Sequence, residues 1–231
     1  MTPSDASLLR LLQLASPSLP IGAYSYSQGM ESAIDAGLVH DAASARAWIY
    51  TALTEMVACF DAPLQWRLLC AFAERDGAAV CDWSERWLAS RDTAELRAET
   101  VQMGYSLRQL LAALLEDLPQ ADPRMLALLD ATVLSLPAAF ACAAAALGVA
   151  PPAALLGALF SWVENQVLVC VKTVPLGQVA GQKMLLALMP AVEDAARRAQ
   201  SLPDEAMSNW APGMSLLSMR HEVQYSRLYR S

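Results

Sequence analysis

The chain has 231 residues, and its 16 Lys and Arg against 23 Asp and Glu give a formal net charge of -7. This acidic balance excludes a protein that binds nucleic acids mainly through their phosphate backbone. Hydrophobic residues make up 55% of the chain and charged residues only 17%, which excludes intrinsic disorder over most of its length.

Helix signals divide the first half of the chain. Alanine and leucine dominate the composition, and only 10 residues are glycine, which is typical of a helical protein. Asp41 and Thr93 are predicted N-caps, and either Ser4 or Asp5 caps the first helix. The predicted helices run through residues 8–14, 26–36, 48–57, 64–72, 81–88 and 94–115, with a proline-rich loop over 16–22 and a new helix opened by Asp61 and Pro63.

Prolines mark most of the predicted boundaries in the second half. Pro119 and Pro123 predict a loop, and Pro190 predicts the start of a last amphipathic segment. The predicted elements are helices over 123–134, 137–147, 152–171 and 176–189, the amphipathic segment over 190–200, and a basic tail over 210–231.

The longest uncharged stretch lies between Asp130 and Glu164 and raises the question of a membrane span. Pro137, Gly148 and the pair 151–152 interrupt it, so neither half supplies the roughly 20 unbroken apolar residues that a spanning helix needs. We therefore expect two buried helices and no membrane association. A chain this apolar without a span is expected to expose apolar surface to a partner.

These elements predict one all-α domain over residues 1–231, a bundle of about ten helices. The tail, residues 210–231, is expected to be extended or to become ordered on a partner. An acidic residue precedes the first apolar run, and no basic leader is visible. The five cysteines are odd in number, widely spaced and without a CxxC pair, which indicates free thiols and a cytoplasmic protein.

The chain has few residues that could carry catalysis. It contains two histidines, His40 in a predicted loop and His221 in the tail between Arg220 and Glu222. A metal site needs several ligands, so His221 is only a weak metal candidate. No glycine-rich nucleotide loop and no nucleophile elbow occur in the sequence. We expect no catalysis and no tightly held cofactor.

Three other segments have both a structural and a functional interpretation. The hydroxyl-rich run 24–31 is either a helix N-terminus capped by a serine or an interface. The spacing of Gly177 and Gly181 indicates either close helix packing or a partner-facing surface that uses the amides of Gln178 and Gln182, which share one helix face. Lys172 either complements a helix C-terminus or makes a functional contact.

The tail is the most distinctive stretch. Arg220, Gln224 and Arg227 recur at helical spacing among tyrosines, and arginine and tyrosine are the residue types that dominate interface hot spots. A few arginines on an acidic chain do not predict RNA binding. The tail therefore predicts a protein interface.

Four groups of segments follow one another along the chain: LLQLASP at 11–17 with LPIGAYSYSQGME at 19–31, ELRAET at 95–100 with QMG at 102–104, KTVPLGQ at 172–178 with GQ at 181–182, and RHEVQYSRLYRS at 220–231. In these segments the chain resembles the UreF family of urease accessory proteins. Many relatives have His at the position of Gln28, Leu at Met30, Thr at Val223 and Phe at Tyr229. The absence of His at position 28 weakens a metal role for that position in this chain.

The resemblance implies a helical homodimer that is not itself an enzyme. Such proteins join UreD, also called UreH, and the GTPase UreG to deliver nickel to apo-urease, and the UreF-like subunit bridges the two and modulates GTP hydrolysis. In one form of that role, the side chain of Arg220 or Arg227 inserts into the GTPase and activates GTP hydrolysis. Two rival hypotheses are a nickel carrier that acts directly through His221 and the cysteines, and a helical enzyme whose site is assembled from distant residues.

The resemblance also assigns expected partner-binding residues. One group is expected to face UreG or to lie near the dimer axis: Tyr24, Ser27, Gln28, Glu31, Lys172, Gln178 and Gln182. The other group is expected to become ordered on UreD binding and to shape the same surface: Arg220, His221, Glu222, Gln224, Tyr225, Ser226, Arg227 and Arg230.

Overall fold

The computed structural model describes residues 4–118, 122 and 124–231, and every regular element in this part of the chain is helical. The prediction of an all-α bundle is confirmed. The helices are α1 (Asp5–Leu14), α2 (Met30–Asp35), α3 (Ala42–Thr51), a π-helical segment (Ala52–Asp61), α4 (Ala62–Glu74), α5 (Gly77–Ala89), α6 (Ala94–Glu116), α7 (Arg124–Asp130), α8 (Leu136–Ala146), α9 (Pro151–Thr173), α10 (Gln178–Ser201) and α11 (Pro212–Glu222), with short 3-10 turns at Ala23–Ser25 and Asp204–Ala206.

Helix α9 is the central element and packs against α1, α2, α3, α4, α8 and α10. Within the described residues it is the one helix that is long and apolar enough to cross a membrane by length and composition, and half of its most apolar stretch is buried inside the protein. The uncharged run between Asp130 and Glu164 forms α8 and α9 as two separate helices, as predicted.

Seven of the eleven residues of helix α8 are alanine, and the helix lies buried between α4 and α6. Its small side chains and a glycine on α6 bring the two backbones close together. A Cβ atom on Gly104 would lie 2.6 Å from the carbonyl carbon of Ser135, a distance that no real side chain tolerates. Close approach of this kind depends on residues without bulk, so the alanine richness is a packing feature.

The predicted helix break at Asp61 and Pro63 is wrong, because the chain remains helical from Ala42 to Glu74. Asp61 does not cap a helix, and its carboxylate binds Arg91 at 2.6 Å. Pro63 cannot donate to the carbonyl of Cys59, and that carbonyl instead accepts the N–H of Ser208 at 3.1 Å. A contact from a distant loop thus satisfies the acceptor that the proline leaves free.

The break at Pro190 is also wrong, since α10 runs unbroken from Gln178 to Ser201 with this proline on its exposed side. Buried residues on both sides of it, Leu188 and Val192, hold the helix in the core. Gly181 allows the close approach to α9 that its spacing predicted, with an added Cβ 2.6 Å from Val171, whereas Gly177 has open space around it and only precedes the helix.

Other boundaries also differ from the sequence prediction. Pro119 and Pro123 lie outside the described residues, so the loop predicted there stays a prediction. Helix α7 ends at Asp130, before the predicted Leu134, because the chain must turn back to place Ser135 as the N-cap of α8. The tail is not extended in the isolated chain: it forms α11 and then an ordered segment.

Candidate functional site: two buried carboxylates that hold the C-terminal segment

We call residues 223–231, which follow α11, the C-terminal segment. They meet the turn that precedes α2, where Gln28 and Gly29 adopt left-handed backbone conformations with φ of 55° and 84°. Because these residues are not helical, α2 begins only at Met30, four residues later than the sequence predicted. The turn leaves backbone N–H groups free for the C-terminal segment.

Ser231 accepts hydrogen bonds from those free N–H groups. Its backbone oxygen accepts the N–H of Ser27 at 2.7 Å and that of Gln28 at 3.1 Å, and also the Ser27 hydroxyl at 2.5 Å. One residue earlier, the N–H of Arg230 donates to the carbonyl of Ser25 at 2.8 Å. The hydroxyl-rich run therefore holds the C-terminal segment by main-chain contacts, and Ser27 is fully buried.

Glu99 on α6 is the first of two buried carboxylates at this junction. It accepts the Ser231 hydroxyl and the Gln28 amide, each at 2.5 Å, and the Gln28 carbonyl in turn accepts the indole N–H of Trp162 at 2.7 Å. Burial raises the pKa of Glu99 to about 7, although both hydrogen bonds act to lower it. A cavity of about 190 Å³ with mainly apolar walls borders this carboxyl group and adds to its desolvation.

Glu31 on α2 is the second buried carboxylate. Its two oxygens accept the backbone N–H groups of Leu228 and Tyr229 at 2.7 and 3.0 Å. The Nε2 atom of His221 lies 3.2 Å from the same carboxylate. Hydrogen bonds to an ionised acceptor are stronger than those between neutral groups, so Glu31 is a major anchor of the C-terminal segment.

His221 is fully buried between two carboxylates. Its Nδ1 atom lies 2.7 Å from Glu95 on α6, opposite the contact that its Nε2 atom makes with Glu31. Glu95 also pairs with Arg227 of the C-terminal segment. Both ring nitrogens are therefore engaged, and each faces a different carboxylate.

The contacts of His221 bear on metal binding, because a ligating imidazole must free one nitrogen. Across the part of the chain that the structure describes, no group of three or more His, Cys, Asp or Glu residues is placed to hold a metal ion. Cys170 is buried beside Met30, and burial raises the pKa of its thiol to about 12, which disfavours the thiolate that metals require.

Outside these buried contacts the junction presents exposed apolar and basic side chains. Val223, Tyr225 and Leu228 project from the C-terminal segment into solvent, and the Tyr225 side chain is fully exposed. Next to them, Lys172 at the end of α9 lies 5.6 Å from the ring centre of Tyr24 and 6.0 Å from that of Tyr229. The Tyr24 ring is exposed as well.

The predicted partner-binding residues thus fall into two groups. Those whose contacts are internal to the chain are Ser27, Gln28, Glu31, His221 and Arg227, together with Glu222, which accepts the N–H of Glu95 at 3.2 Å, and Gln224, which accepts the Ser32 hydroxyl at 3.2 Å. Those that are exposed are Tyr24, Lys172, Arg220, Tyr225, Ser226, Arg230 and, on the outer face of α10, Gln178 and Gln182.

Sequence reasoning missed Glu95, Glu99, Trp162 and Ser231 as site residues. The signal for the first two was present, since carboxylates four residues apart share one face of α6. At the level of the sequence, both residues are used only as part of the ELRAET segment that carries the family resemblance. Trp162 carries no such signal, because its role depends on the fold bringing Gln28 to α9.

Comparison with known proteins places the chain in a family. The sequence model of the UreF family matches residues 39–189. A urease accessory protein UreF from Janthinobacterium sp. (strain Marseille) is 65% identical over 226 residues, which cover 97% of this chain and 98% of that protein. The chain belongs to the UreF family of urease accessory proteins. Two further UreF proteins, from Nitrosospira multiformis and Azoarcus sp. (strain BH72), are 58% and 51% identical and cover 97% of this chain in each case.

The residues that the UreF family model matches include most of the core helices but only part of the site. Residues 39–189 contain α3 to α9, and with them Glu95, Glu99 and Trp162. Glu31 and the C-terminal segment lie outside that range. The site is therefore built where both ends of the chain meet the core helices.

Proposed function

We propose that this chain is a non-catalytic maturation factor of urease. It bridges UreD (UreH) and the GTPase UreG in the cytoplasm, and it modulates the GTP-dependent delivery of nickel to apo-urease. The observation that carries this proposal is the 51–65% identity to proteins named urease accessory protein UreF, over nearly their whole length.

The surface around the C-terminal segment supports the bridging role. Tyrosines, aliphatic side chains and cations project there from a backbone that buried carboxylates hold in place. Tyrosine and arginine are enriched at the centres of protein interfaces, and a surface held in place loses little conformational entropy on binding. This surface suits a partner with apolar side chains and acidic groups.

A second apolar surface supports a homodimer. Leu8, Leu9 and Leu12 on α1 are exposed, and Leu156 on α9 is partly exposed as well. Exposed leucine clusters of this kind are typical of surfaces that a protein covers in its assembled state. The dimer and the bridging complex together would cover the exposed apolar side chains of α1 and of the C-terminal segment.

Light-scattering size exclusion tests the proposal directly. The chain is measured alone, with UreD, and with UreD plus UreG loaded with GTP and nickel. We expect a dimer that joins UreD and then recruits UreG. A monomer that binds neither protein would contradict the proposal.

Variants of exposed tail residues test which surface binds. Tyr225→Ala or Arg220→Ala should weaken complex formation by about 2 kcal/mol, roughly 30-fold, if each is a hot spot. The matched control is Tyr105→Ala, since this tyrosine is also exposed but lies on α6. Equal affinity of all three variants and the parent chain would defeat the surface assignment.

Nickel titration distinguishes this role from direct nickel carriage. The proposal expects weak or no stoichiometric binding of nickel by the isolated chain, because both nitrogens of His221 bind carboxylates. Tight binding of one nickel ion that His221→Gln abolishes would instead favour the carrier hypothesis.

A further inference from the structure

The contacts of His221 indicate whether its imidazole ring carries one proton or two. A neutral imidazole donates from one nitrogen and accepts at the other, whereas an imidazolium donates from both. Each nitrogen of His221 lies within hydrogen-bond distance of a carboxylate, at 2.7 Å from Glu95 and 3.2 Å from Glu31. The question is whether either carboxyl group could be the donor.

Neither carboxyl group is free to donate. Glu31 accepts two backbone N–H groups, one on each oxygen, from Leu228 and Tyr229. Glu95 accepts the guanidinium of Arg227 on the oxygen that does not face His221. Both carboxyl groups are surrounded by fixed donors, which favours their ionised form. An imidazole that donates to both carboxylates in this geometry carries a positive charge.

The charges around His221 balance in this state. Glu31 from α2 and Glu95 from α6 face the imidazolium, and Arg227 supplies the second cation. On α11 itself, Glu222 binds the backbone at the start of α6, and in the C-terminal segment Tyr229 lies beside Glu31. Further ionisable groups at the junction include Glu99, one turn along α6, Lys172, which lies over Tyr229, and the buried Cys170.

We propose that the proton on His221 controls the docking of the C-terminal segment, and so regulates the surface that the segment presents. Its functional meaning rests on the proposed function, in which that surface binds a partner. With the proton present, the imidazolium draws α2, α6 and the C-terminal segment together. Without it, His221 keeps the shorter bond to Glu95 and turns a lone pair towards Glu31.

Loss of the proton then weakens the hydrogen bonds by which Glu31 holds two backbone N–H groups of the C-terminal segment. The Glu31 carboxylate is repelled by the lone pair of Nε2, yet it is the acceptor for the N–H groups of Leu228 and Tyr229. One charge-assisted hydrogen bond disappears and the anchor of the segment becomes strained. The C-terminal segment is thus docked at lower pH and loosened at higher pH.

Nitrogen-15 NMR of the imidazoles tests the proton count on the unmodified chain. The chain has only two histidines, so exposed His40 serves as the internal reference. Histidine ordinarily changes charge between about pH 5 and 8, and spectra from about pH 5 to 9 cover that range. We expect both ring nitrogens of His221 to be protonated at pH 6. A singly protonated ring at pH 6 would overturn the proposal even if no variant folds.

Hydrogen exchange of the Leu228 and Tyr229 amides tests the consequence. After correction for intrinsic exchange, we expect their protection to fall about tenfold from pH 6 to pH 9, the effect of losing one hydrogen bond to a charged group. His221→Gln should show low protection at every pH, and His40→Gln should behave like the parent chain. Each measurement is repeated in a Glu99→Gln background, which removes the other group that titrates in this range.

Either of two exchange results would also overturn the proposal: protection that does not change with pH in the parent chain, or a pH dependence that persists in His221→Gln. Because these experiments use the isolated chain, they do not depend on any partner. If the docking follows the proton but the chain binds neither UreD nor UreG, the proposed function fails and the proton-controlled docking stands.

Discussion

The core around α4, α8 and α9 and the junction of the C-terminal segment are held together by different forces. The core is buried alanine, leucine and valine, and its contacts are numerous, non-directional and independent of pH. The junction rests on a few directional bonds to Glu31, Glu95 and Glu99. The core should therefore determine whether the chain folds, and the junction should determine which surface the folded chain presents.

The largest expected effect comes from a cavity in the core. Leu68→Ala, at a fully buried position on α4, should lower the free energy of unfolding by about 4 kcal/mol, because the removed atoms leave an unfilled space. Leu186→Ala, on the exposed face of α10, is the matched control and should change it by less than about 0.5 kcal/mol. Denaturant unfolding measures both. Equal losses would mean that α10 is covered in a way the single chain does not reveal.

Next comes the pH dependence that Glu99 imposes. Its pKa is raised from 4.5 to about 7 in the folded chain, so folding favours the protonated form. The resulting stability is fully present below pH 4.5 and is lost as pH rises through 7, a decrease of about 3 kcal/mol. Glu99→Gln should remove this decrease. Unfolding curves at intervals from pH 4.5 to 8 measure it, and parallel pH profiles for the variant and the parent chain would contradict the assignment.

A smaller effect is expected at the second carboxylate. Glu31→Gln keeps the size of the side chain but removes the charge that receives Leu228, Tyr229 and His221, at a cost of about 2 kcal/mol. The loss should appear as exchange of the Leu228 and Tyr229 amides, while circular dichroism stays helical. Exposed Glu116→Gln is the control. A denaturation midpoint lower than that of the parent chain would instead show that the junction unfolds together with the core.

The smallest effect on stability is expected at the exposed residues of the C-terminal segment. Tyr225→Ala should change the free energy of unfolding by less than about 0.5 kcal/mol, because its ring contacts solvent. The same variant is expected to lose partner affinity, so stability and binding should separate at this position. Thermal melts beside the binding assay make the comparison, and a loss of 1 kcal/mol or more would mean that the ring packs against the chain.

The sequence predicted the scaffold better than the junction, for physical reasons. Local signals such as the caps at Asp41 and Thr93 act over three residues, and the structure confirms both, with hydrogen bonds of 2.8 and 3.2 Å. The helix breaks predicted at Pro63 and Pro190 are wrong because the effect of each proline depends on tertiary contacts. These contacts are the hydrogen bond from the Ser208 N–H to the Cys59 carbonyl and the core packing around Pro190. No local rule covers such contacts.

At the junction, the residue types were identified but their roles were not. His221, Glu31 and Gln28 were all predicted as partner-binding residues, yet each has its main contacts inside the chain. These contacts join residues 71 to 190 positions apart in the sequence, and pairings at that distance leave no periodic pattern. For the exposed residues, such as Tyr225 and Lys172, partner binding stays a prediction.

The separation of Glu31 from its donors has a consequence for synthesis on the ribosome. Leu228 and Tyr229 follow Glu31 by 197 and 198 residues, so nearly the whole chain must be translated before this carboxylate meets them. Domains fold as they emerge, and long-range contacts form late. A nascent chain can therefore complete its helical core while its partner surface does not yet exist, and no partner that reads this surface can engage an unfinished copy.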